Sequence, residues 1–486
     1  MSTLFSYFWG YFETNHFTLL LFLFLLFLSF LKYARVPAFF SAGSSLFFIV
    51  ALGLALRVAW IFYASYAPQT QWGPNIRIES DVANVHAVEL SQKGVWFHDA
   101  EGRPSGRRPI GYPVFLAVLY KCFGVHAEVA WAANLFLYAL TACLLYGIAR
   151  RTFSERAAIL ASLFFAVYPV SVYSVKLLTD EHLFLPLWYG GLYLLLKEVR
   201  GRFSWRAVWA YGLLFGYATM TRTHSIFMPF VVALACRLAR HSWKRVFLSF
   251  FGVLVVMQLV NLPWVIRNYK AWGVPVLYTA TSGYIYHSFN PYATPEGGAH
   301  TLVRGEPGFS EEVEKAELSG DPGKQHTACA REIPRQILRQ PLWFMDFGTK
   351  RLLVFMGWNR AGIWPLWFLY MEGVYDPARP IPQGLKDFLE ETAYAFYYVL
   401  FFSFVFGLAL TGKNWRPMPA ESRDCFLILA VCILFWWGEQ MIIFPDRKYR
   451  FPLEPLMMLP AAYFWECVLF HFRYENVFSK RRSRVA

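Results

Sequence analysis

Charged side chains that can hold a phosphate or move a proton stand at the ends of long apolar runs in this sequence. Arginine suits phosphate because its planar guanidinium donates two parallel hydrogen bonds, and a carboxylate can take a proton from a hydroxyl. Such groups are costly at bilayer depth unless they are paired or hydrated. Five places carry them: Asp81; Asp180 and Glu181; Arg222 and His224; Trp264, Arg267 and Asn268; and Asp446, Arg447, Lys448, Tyr449 and Arg450. Together they indicate a hydrated cavity suited to an anionic lipid phosphate and an attacking hydroxyl or amine.

The composition indicates that membrane-spanning helices carry these groups. Of 486 residues, 57% are hydrophobic and 16% are charged, whereas soluble domains are about 45–50% apolar and about 25% charged. This excludes a disordered chain and argues against a purely soluble enzyme. The net charge of +14 fits basic cytoplasmic loops better than nucleic-acid binding. The 7 cysteines include no CxxC pair, which argues against a disulfide framework or a zinc site.

Apolar runs near the length of a spanning helix, about 20 residues, predict about eleven transmembrane helices. They lie at about 17–33, 42–66, 127–149, 157–174, 181–197, 206–221, 224–240, 246–265, 392–411, 424–444 and 452–472. Alternate connections between them hold most of the Lys and Arg, which places those connections in the cytoplasm. We therefore expect a multi-pass protein of the plasma (bacterial inner) membrane, with its C-terminus in the cytoplasm.

The spans divide the chain into six segments, and both long loops fall on the outer face. The segments are two spans in 1–67, a first outer loop with interfacial helices in 68–126, core spans in 127–265, a second outer loop with an interfacial aromatic segment in 266–391, C-terminal spans in 392–472, and a basic tail in 473–486. All five charged places also fall on the outer side. The two loops and the span ends must therefore position the site together.

Five motifs occur in the order found in one enzyme family. They are Asp81 with the following helix and Arg108-Pro109-Ile110-Gly111-Tyr112-Pro113; Leu178-Thr179-Asp180-Glu181; the span from Gly212 to Arg222; Pro263-Trp264-Val265-Ile266-Arg267-Asn268; and Lys448-Tyr449-Arg450-Phe451-Pro452-Leu453-Glu454-Pro455. From about 55 to 460 the chain resembles the GT-C type glycosyltransferases that use a polyprenyl-phosphate sugar. That group includes the protein O-mannosyltransferases and the lipid A aminoarabinose transferase.

The resemblance implies an all-α polytopic membrane bundle with amphipathic outer helices, and an inverting sugar transfer on the outer face. The donor would be an undecaprenyl- or dolichyl-phosphate sugar, and the acceptor a hydroxyl or amine of a glycolipid, polysaccharide or protein. Asp81 matches the catalytic carboxylate of the family, with Glu79 as the fallback. The candidates for the donor phosphate are Arg107, Arg108, Arg267 and Arg450. Further site candidates are Asp180, Glu181, Arg222 and Tyr449.

Plainer interpretations of the same residues stay open. Asp81 can cap the helix that follows it, and Asp180 with Glu181 can cap the next span. Arg222 and Arg267 can be anchors at the membrane surface. Some relatives bind a divalent metal, but the available histidines show no ligand spacing, so we predict no metal site while a divalent metal stays possible. These histidines are His86, His98, His224 and His287.

Two other functions fit a multispanning protein with large outer loops. A lipid-linked oligosaccharide polymerase or ligase would use a pyrophosphate-linked donor, whereas the acidic residue and Arg-Pro of the first outer loop favour a monophosphate donor. A sugar or lipid transporter (flippase) would need charged or broken helices at the bilayer midplane. Among the predicted spans, Pro186 and Pro229 are the breakers that we consider, and the charges lie at span ends instead.

Overall fold

The computed structural model describes residues 42–64, 79–99, 102–106, 108–198, 204–295, 298–357, 382–443 and 449–470, without the side chains of 42–44 and 79–81. Within these residues the chain is helical, and the only extended pairing is a bridge between His98 and Pro104. The helices are α1 (Ala42–Tyr63), α2 (Glu79–Lys93), α3 (Gly111–Phe123), α4 (Ala127–Thr152), α5 (Glu155–Val167), α6 (Pro169–Tyr173), α7 (Glu181–Glu198), α8 (Trp205–Thr221), α9 (Met228–Leu238), α10 (Trp243–Trp272), α11 (Ser282–Ser288), α12 (Glu311–Leu318), α13 (Pro322–Arg339), α14 (Pro341–Phe355), α15 (Gln383–Lys413), α16 (Ala420–Gln440) and α17 (Glu454–Phe470). The predicted span 17–33 lies outside the described residues.

The predicted class, an all-α polytopic membrane protein, is confirmed. In the described residues, 4 helices are long and apolar enough to cross a membrane, namely α1, α4, α10 and α15. The pair α5 and α6, bent by 50°, makes up to 5. The helices α7, α8, α9, α16 and α17 are either shorter than a full span or carry more charged residues near their ends. The total of about eleven spans stays a prediction.

The first outer loop forms a helical pair, α2 and α3, that packs against the bundle. Tyr120 of α3 donates its hydroxyl hydrogen bond to Asn84 Oδ1 of α2 at 2.5 Å. Around this bond lies a shared apolar cluster that includes Val88, Leu116 and, from the bundle, Leu183. The short apolar run of residues 114–123 is therefore part of a helix that packs against the bundle.

The chain bends between α5 and α6, and the sequence analysis did not predict this break. Pro169 has no N–H, so the carbonyl of Phe165 loses its helical partner. Arg57 of α1 replaces that partner, donating from Nη2 to the Phe165 carbonyl (3.3 Å) and from Nη1 to the Ala166 carbonyl (2.9 Å). Pro186, which we considered as a breaker, lies inside the continuous helix α7.

The helix α10 continues beyond the predicted span end at 265, and its last residue is Trp272. It ends at Gly273, whose φ of 68° is the left-handed conformation that glycine adopts readily. Arg267 and Asn268 therefore lie on the last turns of a helix and not in the loop after it. The helix α10 consequently carries Arg267 to the first outer loop, whereas Asn268 donates to the Val276 carbonyl at 2.9 Å.

The second outer loop contains a small helical unit, α11 to α14, with its own apolar cluster around Tyr286, Val313 and Cys329. Arg351 of α14 connects this unit to the bundle. It is fully buried and donates to the carbonyls of Ser288 in α11 and of Ile442, the latter at 2.7 Å. The second loop is thus attached to the residues that follow α16.

Candidate functional site

Arg222, Asp180 and Glu181 form a buried ion cluster where α7 begins and α8 ends. Arg222 Nη1 pairs with Glu181 Oε1 and lies 3.4 Å from Asp180 Oδ1. Only 4% of Arg222 and none of Glu181 is exposed. Burial lowers the pKa of Arg222, but the two carboxylates outweigh it and the pKa lies above its usual value. The sequence placed these residues at separate span ends, and the structure brings them together.

A second layer of the cluster is contributed by Tyr449, His224, Trp436 and Glu439. The guanidinium of Arg222 lies 4.9 Å from the centre of the Tyr449 ring. His224 stacks on Trp436 at 4.6 Å, and its Nδ1 lies 2.6 Å from Glu439 Oε2. Trp436 Nε1 also donates to the Tyr449 carbonyl at 3.1 Å. We refer to Asp180, Glu181, Arg222, His224, Glu439 and Tyr449 as the outer cluster.

Glu439 is the member of the outer cluster that the sequence analysis missed. It follows the apolar run of α16 in Trp436-Trp437-Gly438-Glu439-Gln440. The only signal for it in the sequence is a carboxylate at the outer end of an apolar helix. Asp180 and Glu181 carry the same signal, so the same reasoning applies to Glu439.

The first outer loop touches the bundle directly beside the outer cluster. A Cβ on Gly111 would lie 2.8 Å from the backbone nitrogen of Thr221, the residue before Arg222. Tyr217 donates its hydroxyl hydrogen bond to the Gly111 carbonyl at 3.0 Å. Tyr112 is fully buried and donates to Asn134 Oδ1 at 2.9 Å. The Arg-Pro-Ile-Gly-Tyr-Pro motif is thus a contact that fixes the loop against the end of α8.

Arg267 holds the other end of the same loop. Its Nη2 donates to the carbonyls of Trp96 (2.9 Å) and Phe97 (2.6 Å). Its guanidinium lies 4.8 Å from the Trp264 ring and 5.4 Å from the Trp272 ring. These contacts shape the segment that follows α2, and they occupy donors that we had expected to face a phosphate.

Arg450 is buried inside the bundle, where only 5% of it is exposed. Its Nε donates to Glu454 Oε1 at 2.7 Å, and its Nη1 donates to the Phe355 carbonyl at 3.1 Å. The ring of Tyr397 lies 3.5 Å from its guanidinium carbon. The structure therefore separates Arg450 from the outer cluster that its neighbour Tyr449 joins, although the two residues are adjacent in sequence.

The remaining predicted residues fall in several places. The backbone of Asp81 lies in the first turn of α2, and its side chain, like that of Glu79, is outside the described part. Arg107 lies outside the described residues, and Arg108 is exposed just before α3. His86 packs on Phe97, and His287 pairs with Glu317 at 2.6 Å. Across the described ranges, no group of three or more His, Cys, Asp or Glu side chains is arranged for a metal.

The outer cluster can bind and orient polar groups more readily than it can bind free anions. Three carboxylates accompany one arginine, and that arginine is already paired. Such a setting suits hydroxyl or amine groups of a sugar or an acceptor, which donate hydrogen bonds to carboxylates. A phosphate would be bound more easily by an exposed arginine such as Arg108, which lies just before α3.

Comparison with known families supports the resemblance that the motifs suggested. Residues 107–266 match the profile of the family described as dolichyl-phosphate-mannose-protein mannosyltransferase. This match begins at Arg107 and ends one residue before Arg267, so it covers Arg108 to Pro113, Asp180, Glu181 and Arg222 but not Asp81. The resemblance is confirmed for this segment. No curated protein sequence matches the chain.

Two solved structures illustrate the similar course of the chain. The oligosaccharyltransferase AglB from Archaeoglobus fulgidus, in complex with an inhibitory peptide and a dolichol-phosphate, matches with a TM-score of 0.47 and 13% identity over 89% of this chain and 50% of that one. ArnT from Cupriavidus metallidurans bound to undecaprenyl phosphate matches with a TM-score of 0.40 and 16% identity over 86% and 77%. This chain spans half the length of the archaeal enzyme.

Proposed function

We propose that this protein is an inverting glycosyltransferase of the membrane. It would transfer one sugar from a polyprenyl phosphate, such as undecaprenyl or dolichyl phosphate, to an acceptor hydroxyl or amine. The acceptor would be a glycolipid, polysaccharide or protein of the cell envelope on the outer face. The family match over residues 107–266 supports the class of the reaction, and the distribution of Lys and Arg among the connections supports the outer face.

One observation carries the proposal. Three motifs of the resemblance, distant in sequence, meet in the structure: Gly111 contacts Thr221 beside Arg222, and Arg222 pairs with Glu181. Buried ion pairs often contribute little net stability, because removing two charges from water offsets their attraction. A membrane protein that gathers such groups at one end of its bundle therefore has a reason other than stability. Binding of a polar substrate is that reason in our proposal.

The protein would accelerate the reaction by positioning the two reactants and by stabilising the charge that develops between them. The acceptor oxygen or nitrogen attacks the anomeric carbon on the face opposite to the phosphate, so the configuration inverts. Asp81 orients the acceptor and polarises its O–H or N–H bond as the new bond forms. The phosphate ester leaves as an anion that needs no protonation, so the protein's contribution is the alignment of the reactants and the stabilisation of developing negative charge.

The four arginines proposed for the donor phosphate differ in what each would have to release. Arg107 and Arg108 precede α3 in the first outer loop, and Arg108 is exposed. Arg267 would share its guanidinium between the phosphate and the Trp96 and Phe97 carbonyls. Arg450 would have to leave Glu454. We therefore propose Arg107 and Arg108 as the principal phosphate ligands, Arg267 as a shared ligand and Arg450 as the least favourable one.

The test compares Asp81→Asn with Asp99→Asn, which replaces a carboxylate of the same loop that pairs with Arg103 at 2.9 Å. Purified protein in proteoliposomes is supplied with a panel of radiolabelled undecaprenyl-phosphate sugars and with envelope extract as acceptor. We expect sugar transfer by the unaltered protein and by Asp99→Asn, and at least a 100-fold loss in Asp81→Asn with normal insertion. Transfer by Asp81→Asn at the unaltered rate would remove Asp81 from the mechanism, and no transfer by any protein would refute the proposed function.

A further inference from the structure

His224 and Glu439 have the geometry of a base and the carboxylate that orients it. Nδ1 of His224 lies 2.6 Å from Glu439 Oε2. Because an ionised carboxylate only accepts hydrogen bonds, Nδ1 must carry the proton in this contact. In a neutral imidazole the other nitrogen, Nε2, then holds a lone pair and can accept a proton. The pair thus selects the tautomer that a general base requires.

The ring of His224 is held in one orientation. One face stacks on Trp436, with ring centres 4.6 Å apart and planes inclined by 28°. Tyr449 approaches at 5.7 Å in an edge-to-face contact. The guanidinium of Arg222, which pairs with Glu181 and Asp180, lies 4.9 Å from the centre of the same Tyr449 ring. His224 is therefore fixed within the outer cluster, two residues from Arg222 in the chain.

Exposure falls from Glu439 to His224. The side chain of Glu439 is 16% exposed, and that of His224 is 4% exposed. A proton taken up by the imidazole at Nε2 can therefore be released from Nδ1 to a carboxylate that is nearer to solvent. This order, from a buried base to a more exposed carboxylate, is what a relay from a closed site to the outside needs.

We propose that His224, in the outer cluster, is a catalytic residue in addition to Asp81 and that Glu439 is its positioning residue. The inference rests on the proposed function. As the acceptor atom forms its bond to the anomeric carbon, the bond from that carbon to the phosphate oxygen breaks and its electron pair stays with the phosphate. The acceptor proton passes to Nε2 of His224. The imidazolium is stabilised by Glu439, and its proton leaves through this carboxylate to water.

The test uses His224→Asn and Glu439→Gln in the transfer assay described above. Asparagine keeps a donor near the position of Nδ1 but has no group at Nε2. Glutamine keeps the size of Glu439, but its amide can donate to Nδ1, which selects the tautomer with the proton on Nε2. We expect both variants to lose at least 100-fold in kcat, the range of a general base, while the Kd for undecaprenyl phosphate changes less than twofold.

The pH dependence of kcat distinguishes a catalytic role of His224 from a role in packing. In the unaltered protein kcat should fall on the acidic side as His224 becomes protonated and can no longer accept a proton. This acidic limb should be absent from the residual activity of His224→Asn. A structural role would instead lower kcat by the same factor at every pH and leave the limb in place.

The chain offers a matched control. His287 and Glu317 form a pair with the same separation, 2.6 Å, in the second outer loop. His287→Asn and Glu317→Gln should transfer sugar at the unaltered rate. Transfer by His224→Asn within twofold of the unaltered protein would overturn the proposal. If that variant does not fold, a Glu439→Gln profile with an unchanged acidic limb overturns it instead. An unaltered protein that transfers no sugar would overturn the proposed function and this inference together.

Discussion

Arg267 matches a motif proposed to bind the donor phosphate, but its contacts in the structure hold the first outer loop. Two carbonyls of the first outer loop accept from one of its nitrogens, and two tryptophan rings flank it. Lysine keeps the charge but lacks the planar fork. If fixing the loop is the main role, Arg267→Lys should lose transfer about tenfold or more. Hydrogen exchange should also become faster in the segment from Gly94 to Asp99.

A phosphate role for Arg267 predicts a different pair of results. Lysine is a good point-charge ligand for phosphate, so Arg267→Lys would then bind undecaprenyl phosphate nearly as well as the unaltered protein. Arg267→Gln, which removes the charge, would bind it weakly. Measuring the Kd for undecaprenyl phosphate in both variants decides between the two roles, because loop exchange would stay unchanged in Arg267→Lys under the second one.

The pKa of His86 predicts how the stability of α2 depends on pH. Burial first, and then the charge of Arg267 and the proximity of His98, lower this pKa from 6.5 to about 4. Between these values the folded protein keeps His86 neutral and the unfolded chain protonates it. The unfolded state thus binds more protons there, and stability must decrease as the pH falls from 6.5 to 4. The loss is on the order of 3 kcal/mol, local to α2.

His86→Phe should remove this dependence, because phenylalanine keeps a ring against Phe97 and cannot titrate. The measurement is the exchange of amides in Glu79–Lys93 at several pH values, corrected for the intrinsic exchange rate. His300→Gln is the control, since His300 is 38% exposed and lies in the second outer loop. An acid-induced opening of α2 that is equal in all three proteins would contradict the assignment to His86.

The charges of the outer cluster show what sequence reasoning could predict at this scale. Asp180, Glu181 and Arg222 stand out because ionised groups at span ends need a reason, and they do meet. Arg57 and Glu439 are also charged residues within apolar stretches of the sequence. Arg57 binds carbonyls that are orphaned at a distant proline, and Glu439 pairs with a histidine more than 200 residues away. Such partners appear only when the chain is folded.

At the scale of elements, the contact between α3 and α8 is the most sensitive point of the site. Gly111 lies against the backbone of Thr221, where a Cβ would come within 2.8 Å of the nitrogen. Gly111→Ala must therefore push the two helices apart. We expect a loss of about 1–3 kcal/mol in stability, as for other overpacked contacts. Sugar transfer should fall at least tenfold, because Arg222 follows Thr221.

The matched control is Gly384→Ala near the start of α15, where no atom lies within 4 Å of the added Cβ. Alanine also has the higher helix propensity, so this variant should be as stable as the unaltered protein and as active. Thermal unfolding and transfer assays of both variants test the contact. Equal activities for Gly111→Ala and Gly384→Ala would show that the motif does not position the site.

Helix breaks and ends were harder to predict than helices. Prolines are visible in the sequence, but Pro186 leaves α7 continuous, whereas Pro169 marks a 50° bend. The difference is that Arg57 supplies donors for the carbonyls freed at Pro169. Likewise α10 extends to Trp272 because polar residues after an apolar run do not end a helix, whereas Gly273 does. Sequence therefore predicts the apolar centre of a helix better than its ends.

At the scale of the whole molecule, Arg450 joins separate parts of the bundle. It contacts Glu454 of α17, the carbonyl of Phe355 at the end of α14, and the Tyr397 ring of α15. Arg450→Ala would leave Glu454 as an unpaired buried charge, which costs about 3–5 kcal/mol. We expect a marked decrease in Tm, and the loss of donor binding should follow the loss of folded protein.

The double variant Arg450→Met with Glu454→Leu distinguishes a structural pair from a phosphate ligand. Replacing both partners of a buried pair with apolar residues is often neutral for stability. The double variant should therefore recover part of the Tm that Arg450→Ala loses, and adding Tyr168→Phe should recover most of it, because the buried Tyr168 hydroxyl also donates to Glu454. If it recovers the Tm but binds undecaprenyl phosphate at least tenfold more weakly, Arg450 is a ligand of the donor and the structural assignment is contradicted.

Orientation in the membrane decides whether the outer cluster faces the compartment that we propose. Two exposed lysines can report the orientation. Lys324 lies in the second outer loop and is 65% exposed, and Lys244 is exposed beside Arg245 in a predicted cytoplasmic connection.

The labelling experiment uses protein in which the exposed Cys122 and Cys143 are replaced by serine and which carries either Lys324→Cys or Lys244→Cys. A membrane-impermeant maleimide should label Lys324→Cys in intact cells with a permeable outer envelope, and Lys244→Cys only after the membrane is opened. The opposite pattern would put Asp180, Glu181 and Arg222 on the cytoplasmic side, where the proposed transfer to envelope acceptors cannot occur.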